Sequence, residues 1–457
     1  MWDTIYNITN ITEFLWGTPL LILMVGIGLY LTVRSGFFQV LGIGTWMKRT
    51  LGELFSKKSR EGNGSGQLKP FQALSAVLAG TVGSGNIAGV ASAIAIGGPG
   101  AVFWMWIITI VGMLIKMTEV TLSVAFRKKN ESGEYYGGPM YYMKNGLGKI
   151  GGVLAGIYAV ALFIMVLADA CFVQPNTLAV CVNDVFSVPL LITGVIVVAI
   201  SFIVIMSGGV KKIGDFCGKM VPPMILVYIV GCLIVIIMNA QAIPETFALI
   251  FRYAFAPAPA VGGFAGATIS LAMARGAARG IFSHESGMGT AATVHATAMT
   301  DHPVHQGMYG ILEVFVTGVI ICTLTALTVI ASGVWCNGNT GVVLSFDAFR
   351  GSLGQVGAVI LAIAVVLFTY SSYLGFFVEF RTCVEYLFGE RRMKYLKYLY
   401  FILPILSVTL EVEQVWDIAD MAVGFIVIPN MIAIALLSPK FFALFREYLS
   451  KQKQQSE

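Results

Sequence analysis

The feature that most constrains this chain is the run Thr81-Val82-Gly83-Ser84-Gly85-Asn86, set in the middle of an apolar stretch covering residues 71–96. A stretch that long crosses ~30 Å of hydrocarbon as a helix. Glycine in a helix interior costs about 1 kcal/mol relative to alanine. In a bilayer, a backbone group freed from its helix is costly unless something satisfies it. Irregular backbone is tolerated at that depth where it lines a cavity and meets a ligand, an ion or water. The run therefore predicts a broken helix that holds a solute near mid-membrane. Close helix packing through small residues accounts for Gly83 and Gly85, but not for Asn86.

The rest of the chain agrees with a membrane setting. It is 57% apolar and 12% charged, whereas a soluble domain carries about 25% charge. Eleven spans are predicted: 14–33, 70–96, 100–126, 150–176, 188–207, 219–239, 263–283, 306–332, 355–387, 395–410 and 415–437. With the N-terminus outside, the inner segments hold 24 of the 29 lysines and arginines. Those segments are 34–69, 127–149, 211–219, 381–397 and the tail. Such a bias sets orientation in a cell membrane, with the C-terminus cytoplasmic. It also explains the net charge of +5 without a nucleic-acid surface. Segment 284–305, an inner loop lacking lysine and arginine, is the exception. The first span is too long for a signal peptide, lacks a basic leader, and is expected to be retained. Seven cysteines without a Cys-x-x-Cys pair argue against a metal or redox site. Only Cys336 and Cys181 fall near an outer surface, where a disulfide could form. Segment 37–55 is predicted to lie in the interface as an amphipathic helix. Glu61-Gly62-Asn63-Gly64-Ser65-Gly66 reads as a flexible linker. A short helix through Phe247 and Phe255 is expected at the outer mouth, ended by Ala256-Pro257-Ala258-Pro259.

The spans divide the chain into an N-terminal unit (1–69), a first repeat (70–239), an outer segment (240–262), a second repeat (263–437) and a tail (438–457). Five spans per repeat invert the second relative to the first. Each repeat opens on a glycine-interrupted helix, with Gly80, Gly83 and Gly85 in one and Gly276, Gly280, Gly287 and Gly289 in the other. Interrupted segments at matching positions in two halves point to a central site.

Several side chains carry chemistry at that depth. Gly280 and Ser283 can expose backbone groups, and Phe282 can close one side of a pocket. His284 and Glu285 read equally well as an ordinary helix end. Gln174 either grips an ammonium or carboxylate group or joins helices. Asp169 is either an ion-path residue or paired with a neighbour. The hydroxyls of Ser371 and Ser372 suit a small hard cation such as Na⁺, against the alternative of bonding back to their own helix. Lys116 and Glu119, three apart, are expected to satisfy each other. Glu313, Glu379 and Glu385 should face the bundle or the inner boundary. His295, His302 and His305 are read as solvated.

Longer motifs now resemble a known family. Gly83-Ser84-Gly85-Asn86-Ile87-Ala88-Gly89-Val90-Ala91, then Gly97-Gly98-Pro99-Gly100-Ala101-Val102-Phe103-Trp104-Met105-Trp106, look like the signature of the alanine or glycine:cation symporters. Lys116-x-x-Glu119, Gly137-Gly138-Pro139-Met140-Tyr141, Phe282-Ser283-x-Glu285-x-Gly287-Met288-Gly289 and Cys383-Val384-Glu385-Tyr386-Leu387-Phe388-Gly389 follow in the family's order. The resemblance implies an all-α polytopic membrane protein with one helix before a five-plus-five inverted repeat of the leucine-transporter type. It implies uptake of a small neutral amino acid, alanine or glycine, driven by Na⁺ or sometimes H⁺, with no other cofactor. It places Ser84 and Gly85 at the substrate carboxylate, with Asn86 among the substrate-binding residues, Gln174 near the substrate, and Gly280, Ile281, Phe282 and Ser283 beside it. It places Na⁺ on the carbonyls of Ala79 and Val82 and the hydroxyls of Ser371 and Ser372. The chain departs from the family at Thr317, Phe376, Ala170 and Cys171, positions that bear on substrate preference and ion coupling.

The implied mechanism is alternating access, with ion and amino acid bound between the repeats. A passive channel would need a continuous polar pore, and the spans show isolated polar points. An intramembrane enzyme would need a nucleophile with its base or a metal motif, and neither His-Glu-x-x-His nor Gly-x-Ser-x-Gly occurs.

Overall fold

The computed structural model describes residues 18–54, 68–129 and 135–456, and these are almost entirely helical. The Glu61-Gly62-Asn63-Gly64-Ser65-Gly66 linker lies outside the described residues. Among the described residues, seven helical stretches are long and apolar enough to cross a bilayer, and a bent pair, Pro70–Thr81 with Gly85–Gly97, adds an eighth. The other predicted spans coincide with shorter or more polar helices: Thr18–Arg34, Ile269–His284 and Glu390–Ser407. Ile150, Val153, Ile157, Val160 and Ile164 stay exposed at helical spacing. Such a stripe suits contact with lipid chains, which leave no reason to bury it.

Several boundaries differ from the sequence reading. The predicted inner loop at 211–219 is helical, inside one helix from Leu190 to Met238. Two stretches of it, Leu190–Ser207 and Lys219–Met238, are each long and apolar enough to cross the bilayer, close to the predicted spans 188–207 and 219–239. No proline interrupts its hydrogen bonds before Pro222. The last span runs on as Val412–Ser456. Its far end packs on the beginning of the chain, with Phe442 edge-on to Tyr30 and Phe445 to Phe38. The described part of segment 37–55 forms three short helices, Phe38–Leu41, Ile43–Arg49 and Leu51–Leu54, and Trp46 is buried with its ring edge-on to Phe315. The outer helix is found at Ile243–Phe255 and ends at Ala256. All seven cysteines are free, and Cys181 is buried, so no disulfide forms.

The two interrupted helices hold the centre. Pro70–Thr81 begins with proline at its first turn and with Gln72 Oε1 accepting the Lys69 N–H at 2.9 Å. It stops at Val82, whose φ of −83° and ψ of 85° leave the helical region. The chain resumes through a π-turn, Gly85–Gly89, and the axis bends by 54°. The second interruption falls at the last two of its four predicted glycines. Residues 258–267 form tight bridges, Ala258 with Ala267 and Val261 with Phe264, because Pro259 and Gly262, Gly263 and Gly266 favour turns. The helix Ile269–His284 then passes unbroken through Gly280 and Ser283. The break falls at residues 285–289, where Glu285, Gly287 and Gly289 take φ of 53°, 89° and 77°. Those two glycines are where the left-handed backbone requires the absence of a Cβ. The predicted loop beyond it contains a buried helix, Thr290–His295.

Candidate functional site

At the first break several freed backbone groups find side-chain partners, some from distant parts of the chain. The Gly83 N–H donates to Asn86 Oδ1 at 3.1 Å, and the Ser84 N–H donates to Gln174 Oε1 at 3.2 Å. Asn86 Nδ2 lies 3.2 Å from the Ser283 carbonyl and 3.4 Å from that of Thr317. The Ser283 hydroxyl lies 3.0 Å from the Gly85 carbonyl. Thr325 Oγ1 lies 2.8 Å from the Asn86 carbonyl. Asn86 thus ties the first break to the second half of the chain, a role close packing of small residues would not give it. Ser84 Oγ is buried and has no hydrogen-bond partner among the described residues. An orphaned buried hydroxyl costs free energy unless a ligand meets it.

Of the residues singled out from the sequence, Ser84, Gly85, Asn86, Gln174, Phe282 and Ser283 come together here. A Cβ on Gly85 would sit 2.7 Å from Phe282 Cδ1. The Phe282 ring rests edge-on against Trp416, with centroids 5.1 Å apart. Gly280 instead faces the Ala101–Ala125 helix, where a Cβ would meet Ile108 at 2.5 Å. Ile281 is buried, and its carbonyl accepts the Glu285 N–H that ends the helix.

The serine pair divides. Ser372 Oγ lies 3.1 Å from the Ala79 carbonyl and 3.3 Å from that of Val82. One hydroxyl hydrogen can serve only one of them, so three oxygens converge with one proton among them. Ser371 Oγ bonds back to the Phe368 carbonyl at 2.9 Å and lies 3.6 Å from Met224 Sδ. Its hydroxyl is not part of the oxygen cluster.

Above Phe282, the sequence reading missed a second group. The Arg279 guanidinium sits 4.3 Å from the centre of the Trp416 indole and pairs with Asp420. Arg275 approaches the same carboxylate at 4.0 Å. Trp416 also lines a cavity of about 220 Å³ together with Ala88, Asn176, Thr177 and Val412. An arginine inside an apolar span requires a carboxylate partner, and that was the signal available for Asp420.

The second break is fastened by charge. Lys116 does not pair with Glu119, as its spacing suggested. It reaches across to Glu313 at 3.0 Å, both side chains fully buried. Glu119 Oε1 instead accepts the Gly287 N–H at 2.9 Å and Asn430 Nδ2 at 2.6 Å. Turn donors that would otherwise be orphaned outcompete a neighbour on the same helix. Glu285 caps the end of its helix, as the helix-end reading has it, and its buried carboxylate accepts from Thr290. His284 is likewise buried. His295, read as solvated, is buried with Nδ1 2.8 Å from Gln306 Nε2 and Nε2 3.4 Å from Glu313. The folded-in helix Thr290–His295 carries it there. Among the described residues no three His, Cys, Asp or Glu side chains converge as metal ligands.

The profile of the sodium:alanine symporter family matches residues 2–457. The sodium/alanine symporter AgcS of Methanococcus maripaludis is 36% identical over 449 residues, covering 95% of each chain. The probable sodium/glutamine symporter GlnT of Bacillus subtilis is 35% identical, covering 99% of this chain and 91% of its own. The solved structure of MhsT in complex with L-phenylalanine superposes with a TM-score of 0.60 at 17% identity, over 82% of this chain and 90% of that one. That likeness is one of fold.

Proposed function

The chain belongs to the sodium:alanine symporter family, and from that premise we propose that it takes up a small neutral amino acid, alanine or glycine, together with Na⁺. Its relatives are transporters and not enzymes, and the chain is a multi-pass sodium-coupled amino-acid symporter. The finer reading rests on one observation. Gly85 faces Phe282 with no room for a Cβ between them, and Phe282 is backed by Trp416. A wall set that close to the broken backbone admits a small side chain and resists a large one.

In this reading, Ser84 and Gly85 present backbone to the substrate carboxylate, and the positive end of the resumed helix favours it. Na⁺ takes the carbonyls of Ala79 and Val82 and the Ser372 hydroxyl, an oxygen set of the kind a hard cation prefers. Eleven spans with the N-terminus outside, arranged as two inverted repeats, supply alternating access around that point. Ion and substrate couple because each binds one conformation better than the other.

The test is uptake of labelled alanine into proteoliposomes with and without a Na⁺ gradient, in competition with glycine, serine, valine, leucine and glutamine. Glycine and serine should compete strongly, leucine and glutamine weakly. Uptake indifferent to Na⁺, or glutamine competing better than glycine, would overturn this assignment.

A further inference from the structure

Asp169 has no part in the reading above, yet it touches that site through one side chain. It is buried, and its Oδ1 lies 2.6 Å from Gln174 Nε2. The two residues are five apart. In an α-helix, at 3.6 residues per turn, that spacing puts side chains roughly 140° apart. Here residues Leu167–Val173 form a π-helical turn, which closes i to i+5. The wider turn brings Asp169 and Gln174 to the same side.

The orientation of the Gln174 amide follows from its neighbours. The Ser84 N–H can only donate, so the atom that faces it at 3.2 Å is Oε1. The atom that faces Asp169 is then Nε2, and the carboxylate accepts from it. Gln174 is itself buried. Its Oε1 and Nε2 stand 3.1 and 3.2 Å from where a Gly83 Cβ would be, so the amide lies flat against the broken backbone.

We infer that Asp169 is a positioning residue which, through the π-turn, locks Gln174 with its carbonyl oxygen toward the substrate. The inference rests on the proposed substrate site. When a substrate carboxylate takes the Ser84 N–H, Gln174 Oε1 is displaced from that donor and remains an acceptor beside the ligand. An acceptor there pairs with an ammonium. The protein would therefore discriminate an α-amino acid from the same acid without its amine, and Asp169 would set that discrimination without touching the ligand. Without Asp169 the amide is free to turn and offer Nε2, a donor, which repels an ammonium.

The experiment compares wild type with Asp169→Ala and Asp169→Asn. Asparagine keeps an acceptor oxygen at nearly the same volume, so it should restore what alanine loses. In Na⁺-driven alanine uptake, Asp169→Ala should raise KM about tenfold, the scale of one buried hydrogen bond, with the maximal rate unchanged. Competition by propionate relative to alanine should rise by a similar factor. Asp169→Asn should lie within about twofold of wild type. A second readout needs no substrate: in protein labelled with ¹⁵N-glutamine, the Gln174 side-chain amide, assigned by its loss in Gln174→Leu, should exchange slowly in wild type and Asp169→Asn and rapidly in Asp169→Ala. An unchanged KM in Asp169→Ala, a loss of maximal rate alone, equal impairment by alanine and asparagine, or an equally protected amide each overturns the inference. A wild type that takes up no small neutral amino acid sinks the substrate assignment, and the amide exchange still decides the role of Asp169.

Discussion

At the first break, residues 82–85, freed backbone meets neutral groups: the amides of Asn86 and Gln174 and the hydroxyls of Ser283 and Ser372. At the second, residues 285–289, it meets carboxylates: Glu119 holds the Gly287 N–H, and Lys116 and Glu313 neutralise each other close by. Neutral dipoles can exchange one partner for a ligand at little cost, because no charge is stranded in the exchange. A buried ion network cannot, since removing one member leaves another uncompensated. In the proposed function, the first break therefore serves binding and the second anchoring. Mutations at the two should fail in different ways.

The largest effect is expected from Gly83→Ala. Its Cβ would sit 2.6 Å from Ser372 Oγ and 3.1 Å from Gln174 Oε1, displacing groups assigned to ion and substrate together. Uptake should fall below detection while the protein still inserts and keeps a thermal midpoint near that of wild type. Normal uptake by this variant would end the claim that the first break is the binding point.

At the second break the expected loss is of stability. Lys116→Met leaves Glu313 buried without its cation, a change that costs on the order of 3–5 kcal/mol. The double variant Lys116→Met with Glu313→Gln removes both charges and should recover most of that loss. Thermal unfolding in detergent measures both. If the single variant is as stable as wild type, the network is not the anchor, and the contrast between the breaks collapses.

How much of this was legible in the sequence differs between the two regions for the same physical reason. The first break announces itself locally, because glycines and an amide have no business at the centre of an apolar span. Gln174 and Ser372 stood out likewise, as isolated polar groups in apolar surroundings. The second break falls at Gly287 and Gly289, two of the four glycines that mark it, and not at Gly276 or Gly280. Gly280 reads as an interruption in sequence, but it is a packing glycine against Ile108. The pairing of Lys116 failed because an i,i+3 rule weighs only neighbours on one helix, whereas Glu119 was claimed by donors of a turn far away in sequence. His295 looked solvated because the segment around it reads as a loop, and nothing in its own residues shows that the loop folds inward. Asp169 and Gln174 could be suspected singly, but their pairing depends on a π-turn that no residue pattern reveals.

The smallest effect offers the finest test of the first break, because it separates two adjacent residues of one type. Ser372 Oγ reaches both the Ala79 and Val82 carbonyls, whereas Ser371 Oγ turns back to Phe368. In the proposed site a sodium ion would gain an oxygen ligand from Ser372 and none from Ser371. Ser372→Ala should therefore raise the sodium concentration for half-maximal uptake about tenfold, as expected for one lost hydroxyl ligand to a charge. Ser371→Ala removes a hydroxyl bonded within its own helix, a contact that adds little to helix stability, and should shift that concentration by less than about twofold. Each variant loses one oxygen and little volume, so packing changes are matched. The measurement is alanine uptake against Na⁺ concentration at constant ionic strength. Equal shifts in the two variants would mean that the ion draws on both hydroxyls, and that Ser371 turns toward it only when the site is filled. A shift in Ser371→Ala alone would move the ion off the Ala79 and Val82 carbonyls altogether.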